Sequence, residues 1–170
     1  MYLGGMPVAV EQHDRKKRGQ GFDSAQQEAY LNLWRTYDRL RILEDELFGR
    51  HQLTAQQYNT LRLLKAASPK KVATLDLAGR LVSRAPDVTR LIDKLVERGL
   101  VDRERPANNR RVVNLGITES GLELLTDLAA EVRECHEKQL GHMEPAEMRT
   151  LIELLRKARG PHENAESNWH

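Results

Sequence analysis

The sequence is short of cysteines, aromatic residues and long apolar runs. Cys135 is the single cysteine among 170 residues, so no internal disulfide can form, which agrees with a reducing compartment. The apolar runs are only a few residues long, far below the roughly 20 that a membrane helix needs, and we expect no membrane span. The basic cluster at residues 15–18 follows the mildly apolar start, the reverse of a secretory signal, and we expect a cytoplasmic protein.

The composition favours one helix-rich globular domain. Hydrophobic residues make up 39% and charged residues 31% of the chain, a balance typical of soluble helical proteins rather than disordered or fibrous ones. At 170 residues the chain is about the size of one domain, so a multidomain enzyme is not expected. The sequence contains no glycine-rich phosphate loop, nucleophile elbow or paired metal-ligand motif, and we predict neither catalysis nor a cofactor.

Charge is distributed unevenly along the chain. Residues 83–111 hold eight basic and five acidic residues, a net charge of +3, whereas residues 119–153 hold nine acidic and three basic residues, a net charge of −6. A polyanion such as DNA would be attracted to the first segment and repelled by the second. The alternative interpretation is that both segments are ordinary solvated helix faces.

Apolar spacing and capping signals predict two helices in the first part of the chain. Residues 1–21 show no sustained period and are predicted to form a flexible arm. Ser24 is predicted to cap a long amphipathic helix that runs to Gly49. Thr54 and Gln57 have the spacing of a capping box, which predicts a second helix that runs to Ala67.

Two more helices, a hairpin and two final helices complete the predicted order. A short helix follows Thr74, with Leu75, Ala78 and Leu81 as its expected core residues. Ser83 caps a fourth helix that stops at Gly99 and has an apolar stripe of Val88, Leu91, Ile92 and Leu95. Residues 100–105 and 111–117 are predicted as strands joined by a turn at 106–110. Thr118 begins a long helix that ends near Gly141, and Pro145 opens the last helix.

This order of elements predicts a mainly α fold with a winged helix-turn-helix and a small β-hairpin wing. In such a fold a brace helix, here residues 75–81, supports a reading helix, here residues 84–98, whose N-terminal end enters the major groove of DNA. The hairpin around residues 106–111 would reach along the backbone, and its tip carries Arg110 and Arg111. Because the apolar stripe of the reading helix must face the core, its outward residues are Arg84, Asp87, Arg90 and Lys94.

The chain resembles the MarR (multiple antibiotic resistance regulator) family of transcription factors over roughly residues 24–159. The resemblance depends on many ordered segments rather than on one pattern. They are residues 53–58, 75–78, 88–101, 103–105, 109–111 and 115–118, then Gly121 and residues 143–147.

The resemblance implies a homodimer that binds double-stranded DNA. Residues 22–52 and 118–160 would form the helical dimerisation region, residues 53–117 the winged helix-turn-helix, and residues 161–170 a tail. Two reading heads would meet a pseudo-palindromic operator with half-sites about one helical turn apart. Many relatives are repressors whose DNA affinity falls when a small, often phenolic or anionic, effector binds, and others respond to thiol oxidation or to metal.

The resemblance also implies two sets of site residues. Trp34, Tyr37, His51 and Tyr58 would wall an effector cleft, although aromatics at helical spacing are also typical of a dimer core. The family has Asp at the position of Asn109, where it pairs with the residue matching Arg111, so we expect a more weakly braced wing here. The implied DNA-binding residues are Ser83, Arg84, Ala85, Pro86, Asp87, Thr89, Arg90, Lys94, Asn109, Arg110 and Arg111.

Three other interpretations compete with this one. Cys135 could sense oxidants, but it continues an apolar stripe in the penultimate helix and is predicted to be a buried packing residue. His136 and His142 could join Cys135 around zinc, but the spacing does not match a paired-ligand motif and we predict no metal. A winged helix can also bind only proteins, but basic residues on both the reading helix and the wing favour DNA.

Overall fold

The structure is a computed structural model that describes residues 21–82, 88–106 and 112–163. These residues belong to two units, residues 21–39 and residues 40–163. Across the described ranges the chain forms seven α-helices, one 3-10 turn and three strands. The elements are α1 (Ala25–Arg50), α2 (Ala55–Ala67), β1 (Val72–Ala73), α3 (Thr74–Arg80), α4 (Val88–Glu97), β2 (Val101–Glu104), β3 (Asn114–Ile117), α5 (Glu119–Asp127), α6 (Ala129–Leu140), α7 (Pro145–Arg159) and the 3-10 turn (Gly160–His162).

Helix ends follow the capping signals in the sequence. Thr54 Oγ1 accepts a hydrogen bond from the Gln57 N–H at 3.2 Å, and Gln57 Oε1 accepts one from the Thr54 N–H at 2.9 Å, which confirms the capping box of α2. Thr118 Oγ1 caps α5 by accepting from the Gly121 N–H at 3.1 Å. Gly99 follows α4 with a φ of +69°, a left-handed conformation that costs a residue without a Cβ very little.

The sheet has three antiparallel strands in the order β1-β3-β2, whereas the sequence predicted a two-stranded hairpin. β1 contains only Val72 and Ala73, too few residues to show the alternation that reveals a strand. Beyond β1, the Thr74 N–H and Oγ1 both donate to the Val113 carbonyl at 3.0 Å. The start of α3 is therefore hydrogen-bonded to the segment that leads into β3.

Within residues 40–163, one apolar core joins the helices to the sheet. Burying a leucine or isoleucine side chain contributes about 1.5–3 kcal/mol, so these contacts hold α3 and α4 in place. The fully buried apolar residues are Leu61, Leu64, Leu77, Ile92, Leu95, Leu115 and Leu128.

The predicted core face of α3 is wrong at Leu75. That residue is 85% exposed, whereas Leu77 is fully buried. Two helical positions differ by about 200° around the axis, so Leu75 and Leu77 cannot both face the core. The other two expected core residues, Ala78 and Leu81, are half-buried.

The predicted long helix between Thr118 and Gly141 is two helices. α5 and α6 are separated at Leu128, which has φ −74° and ψ −14°. Leu128 is fully buried, and its N–H still donates to the Leu124 carbonyl at 3.0 Å. Because the break occurs at a buried leucine rather than at glycine or proline, no local signal in the sequence announces it.

Two parts of the chain present large apolar side chains on the surface. α7 begins at Pro145 as predicted, yet none of its residues is buried, and Ile152 and Leu154 are 41% and 59% exposed. In the unit of residues 21–39, the rings of Tyr30 and Trp34 lie 6.2 Å apart on an exposed face of α1.

Within the described ranges, no helix combines the length and apolar character that crossing a membrane requires.

Candidate nucleic-acid interface

The core determines which face of α4 is exposed. Its inward stripe is the predicted one, with Leu91, Ile92 and Leu95 buried and Val88 half-buried. Because a helix has 3.6 residues per turn, the rest of its surface carries Thr89, Arg90 and Lys94 together with the acidic Asp93 and Glu97, and all five residues are exposed. The predicted outward orientation of Arg90 and Lys94 is confirmed. Contact of these residues with DNA stays a prediction.

An ion pair links β2 to α4. Arg103 Nη2 donates to Asp93 Oδ1, and the two side chains are 35% and 53% exposed. A surface pair of this kind contributes only about 0–1 kcal/mol to stability. The pair matters more for position than for stability, because it connects α4 to the strand that leads to Arg105 and the predicted wing.

Arg98 connects the end of α4 to the turn between α1 and α2. Its Nη1 donates to the Gln52 carbonyl at 2.7 Å and its Nη2 donates to the His51 carbonyl at 3.2 Å. Gln52 has a positive φ of 54° in this turn. One planar guanidinium therefore holds two successive carbonyls and fixes the C-terminal end of α4. No signal in the sequence reveals this role, because a basic residue after a helix is ordinarily explained by the helix dipole.

Glu131 of α6 holds the same turn from the other side. Its Oε2 lies 2.7 Å from Arg50 Nη2 and its Oε1 lies 3.0 Å from His51 Nε2. The hydrogen bond from Arg50 lowers the pKa of the Glu131 carboxyl and raises the pKa of the guanidinium. His51 is thus bonded through its ring to α6 and through its carbonyl to Arg98 beyond α4.

Lys71 lies between two carboxylates of β2. Its Nζ is 2.5 Å from Asp102 Oδ2 and 2.9 Å from Glu104 Oε2. The hydrogen bond to Asp102 raises the pKa of the Lys71 ammonium the most, and the hydrogen bond to Glu104 raises it further. No sequence motif marks this lysine, because its partners on β2 are more than 30 residues away and because β1, which aligns the lysine with them, is too short to predict.

The four residues predicted to wall an effector cleft lie in both units. Trp34 and Tyr37 belong to residues 21–39 and are 59% and 61% exposed. Trp34 also lines a surface groove of about 550 Å³ whose other lining residues include Phe22 and Leu31. In the second unit, the Tyr58 ring stacks on Phe48 with centroids 4.6 Å apart, and burial raises the pKa of the Tyr58 hydroxyl. An effector role for these residues stays a prediction.

Several predicted DNA-binding residues lie outside the described ranges. Their predicted roles, the Ser83 helix cap and the weaker bracing expected at Asn109 stay predictions. These residues are Ser83, Arg84, Ala85, Pro86, Asp87, Asn109, Arg110 and Arg111.

Cys135 is a packing residue in the core, as predicted. It is 7% exposed, and burial raises the pKa of its thiol, which disfavours the reactive thiolate. The neighbouring His136 has its Nε2 4.0 Å from Glu44 Oε1. Among the residues that the structure describes, no group of three or more His, Cys, Asp or Glu side chains is placed to hold a metal ion.

A brace helix, a second helix with exposed basic side chains and a strand pair tied to that helix define a winged helix-turn-helix protein. The family model described as MarR family matches residues 53–113, which span α2 to the segment before β3. An uncharacterised HTH-type transcriptional regulator of Bacillus subtilis (strain 168), YpoP, is 30% identical over 125 residues, which cover 74% of this chain and 86% of YpoP.

Solved structures agree with this match. A MarR transcription factor from Planctomyces limnophilus, known from a crystal structure, is 55% identical in sequence to this chain. The two structures match with a TM-score of 0.64 over 80% of this chain and 98% of that one. Sco3205 of Streptomyces coelicolor, a MarR family regulator solved in complex with DNA, shares the fold with a TM-score of 0.76 at 17% identity, over 88% of this chain and 96% of its own. The chain belongs to the MarR family of transcriptional regulators.

Proposed function

We propose that the protein is a homodimeric, sequence-specific DNA-binding repressor. The observation that carries the proposal is the exposed surface of α4, where Thr89, Arg90 and Lys94 point away from the buried stripe. Basic side chains on such a helix can bind phosphates and guanine edges in the major groove. Sco3205, which shares the fold, was solved in complex with DNA and supports DNA as the target. A DNA target places the proposed activity in the cytoplasm.

The unburied apolar residues support the dimer. A 15-residue helix with no buried residue, such as α7, lacks the packing that ordinarily stabilises a helix, and a second copy would supply it. The exposed aromatic residues Tyr30, Trp34 and Tyr37 provide further apolar surface in the unit of residues 21–39. A dimer would present two copies of α4 to a pseudo-palindromic operator.

Release by a small effector is the regulatory part of the proposal. An effector that binds better to the geometry unsuited to DNA shifts the population of the dimer, typically with a coupling of about 1–3 kcal/mol. The family resemblance favours a phenolic or anionic molecule. The exposed Trp34 and the groove beside it offer one apolar surface for such a ligand.

Lys94→Gln tests the proposed use of α4. We expect weaker binding to the DNA upstream of the protein's own coding region and a salt dependence reduced by about one counterion, because one phosphate contact is lost. The matched control is Lys138→Gln, which removes a lysine paired with Glu134 on α6. Equal salt slopes for both variants would remove Lys94 from the interface.

A further inference from the structure

Lys71 crosses the middle strand of the sheet at its glycine. The pairing of Val72 with Leu115 places Lys71 beside Gly116, and Gly116 pairs with Asp102 on β2. The lysine side chain spans this row and reaches both carboxylates of β2. A Cβ on Gly116 would lie 3.3 Å from two carbons of the Lys71 side chain and would collide with the Asp102 carboxylate. The absence of a side chain at residue 116 is therefore what gives the lysine its path.

Lys71 reduces the negative charge of the carboxylates at the base of the wing. Side chains alternate along a strand, so Asp102 and Glu104 share one face of β2 while Arg103 uses the other to bind Asp93. Glu104 is two residues, or about 7 Å, before Pro106, where the predicted wing turn begins. Salt screens charges only partly over such a distance, because the Debye length is about 8–10 Å, so unpaired carboxylates here would make the potential at the start of the wing less attractive to phosphates.

We propose that Lys71 is a positioning residue for DNA binding, which offsets one of the two negative charges of Asp102 and Glu104 across Gly116 so that the wing strand can approach the phosphate backbone. The inference rests on the proposed DNA-binding function. It adds to that function a lysine outside both the reading helix and the wing, which acts through two carboxylates rather than by touching DNA.

Removing the two carboxylates together with the lysine provides the test. Lys71→Gln should weaken binding to the upstream DNA by about three- to tenfold at about 50 mM salt, and the loss should shrink as salt rises because screening weakens the repulsion. Adding Asp102→Asn and Glu104→Gln to Lys71→Gln should restore wild-type affinity or exceed it. Lys138→Gln, which also removes a paired lysine, is the control.

Gly116→Ala tests the geometry while leaving every charge in place. The added Cβ would push the lysine off Asp102, so the variant should bind DNA more weakly, and Asp102→Asn with Glu104→Gln should relieve its loss as well. Thermal melts of each variant identify any loss that comes from unfolding, and Gly116→Ala keeps the test intact if Lys71→Gln does not fold.

The outcomes separate this inference from the function on which it depends. Two results would overturn the role of Lys71 while DNA binding stands. One is wild-type affinity in Lys71→Gln, and the other is a loss of affinity that Asp102→Asn and Glu104→Gln do not reverse. A wild-type protein with no preference for the upstream DNA over a scrambled duplex would overturn the proposed function and the inference with it.

Discussion

Leu77→Ala should destabilise the protein far more than Leu75→Ala, although the two leucines are two residues apart on α3. Leu77 is fully buried in the core and Leu75 is 85% exposed. Removing a buried leucine side chain costs about 2–5 kcal/mol, through lost transfer free energy and the cavity that remains. Leu75→Ala should change the free energy of unfolding by no more than about 0.5 kcal/mol, because surface substitutions rarely do more.

Urea unfolding followed by circular dichroism measures both changes in free energy, and thermal melts followed in the same way measure the shifts in Tm. For a chain of this size, each kcal/mol corresponds to about 2–4 °C in Tm, so Leu77→Ala should lower the Tm by roughly 4–20 °C. Both variants and the wild type should be compared at one protein concentration and without DNA, because dimer formation and ligand binding shift apparent stability. Equal losses, or a larger loss for Leu75→Ala, would refute the assignment of Leu77 rather than Leu75 to the core.

Two further predictions concern the acidic group beside His51 and the buried thiol. Glu131→Gln should destabilise the protein at neutral pH, because hydrogen bonding from Arg50 holds the pKa of the Glu131 carboxyl below its unfolded value. That contribution to stability is present above the unfolded pKa and is lost as the pH falls through the folded pKa. The difference in free energy of unfolding between Glu131→Gln and wild type should therefore fade below about pH 4. A difference that does not change with pH in urea melts would contradict the ion pair. Cys135 should react with iodoacetamide at about pH 8 at least roughly tenfold more slowly in the native protein than in urea, because burial raises the pKa of its thiol, and equal rates would reopen the oxidant-sensor interpretation.

The sequence carries those parts of the fold that depend on local chemistry. The capping box of Thr54 and Gln57 and the glycine stop at Gly99 involve residues only a few positions apart, and both are present as predicted. Thr118 begins a helix as predicted, and its side chain also caps that helix. The apolar stripe of α4 was predicted for the same reason, since helical period alone selects its buried face.

Non-local contacts decide the features that the sequence left open or placed wrongly. β1 exists only because Val72 and Ala73 pair with β3, more than 40 positions later. The choice of Leu77 over Leu75 depends on where α3 packs, and a seven-residue helix is too short for its period to settle this. The same holds for the polar links: Arg98 with the α1–α2 turn, Arg103 with Asp93, and Lys71 with β2 join residues that no motif places together.

Binding of the protein to the DNA upstream of its own coding region tests the central claim most directly. The protein should be titrated against the duplex immediately upstream of its coding region and against a scrambled duplex of the same length, each at two salt concentrations. A DNA-binding repressor of this class should bind the first duplex tightly and selectively, with an affinity that falls steeply as salt rises. Equal and weak binding to both duplexes would contradict the claim and favour a protein partner for α4 and the wing.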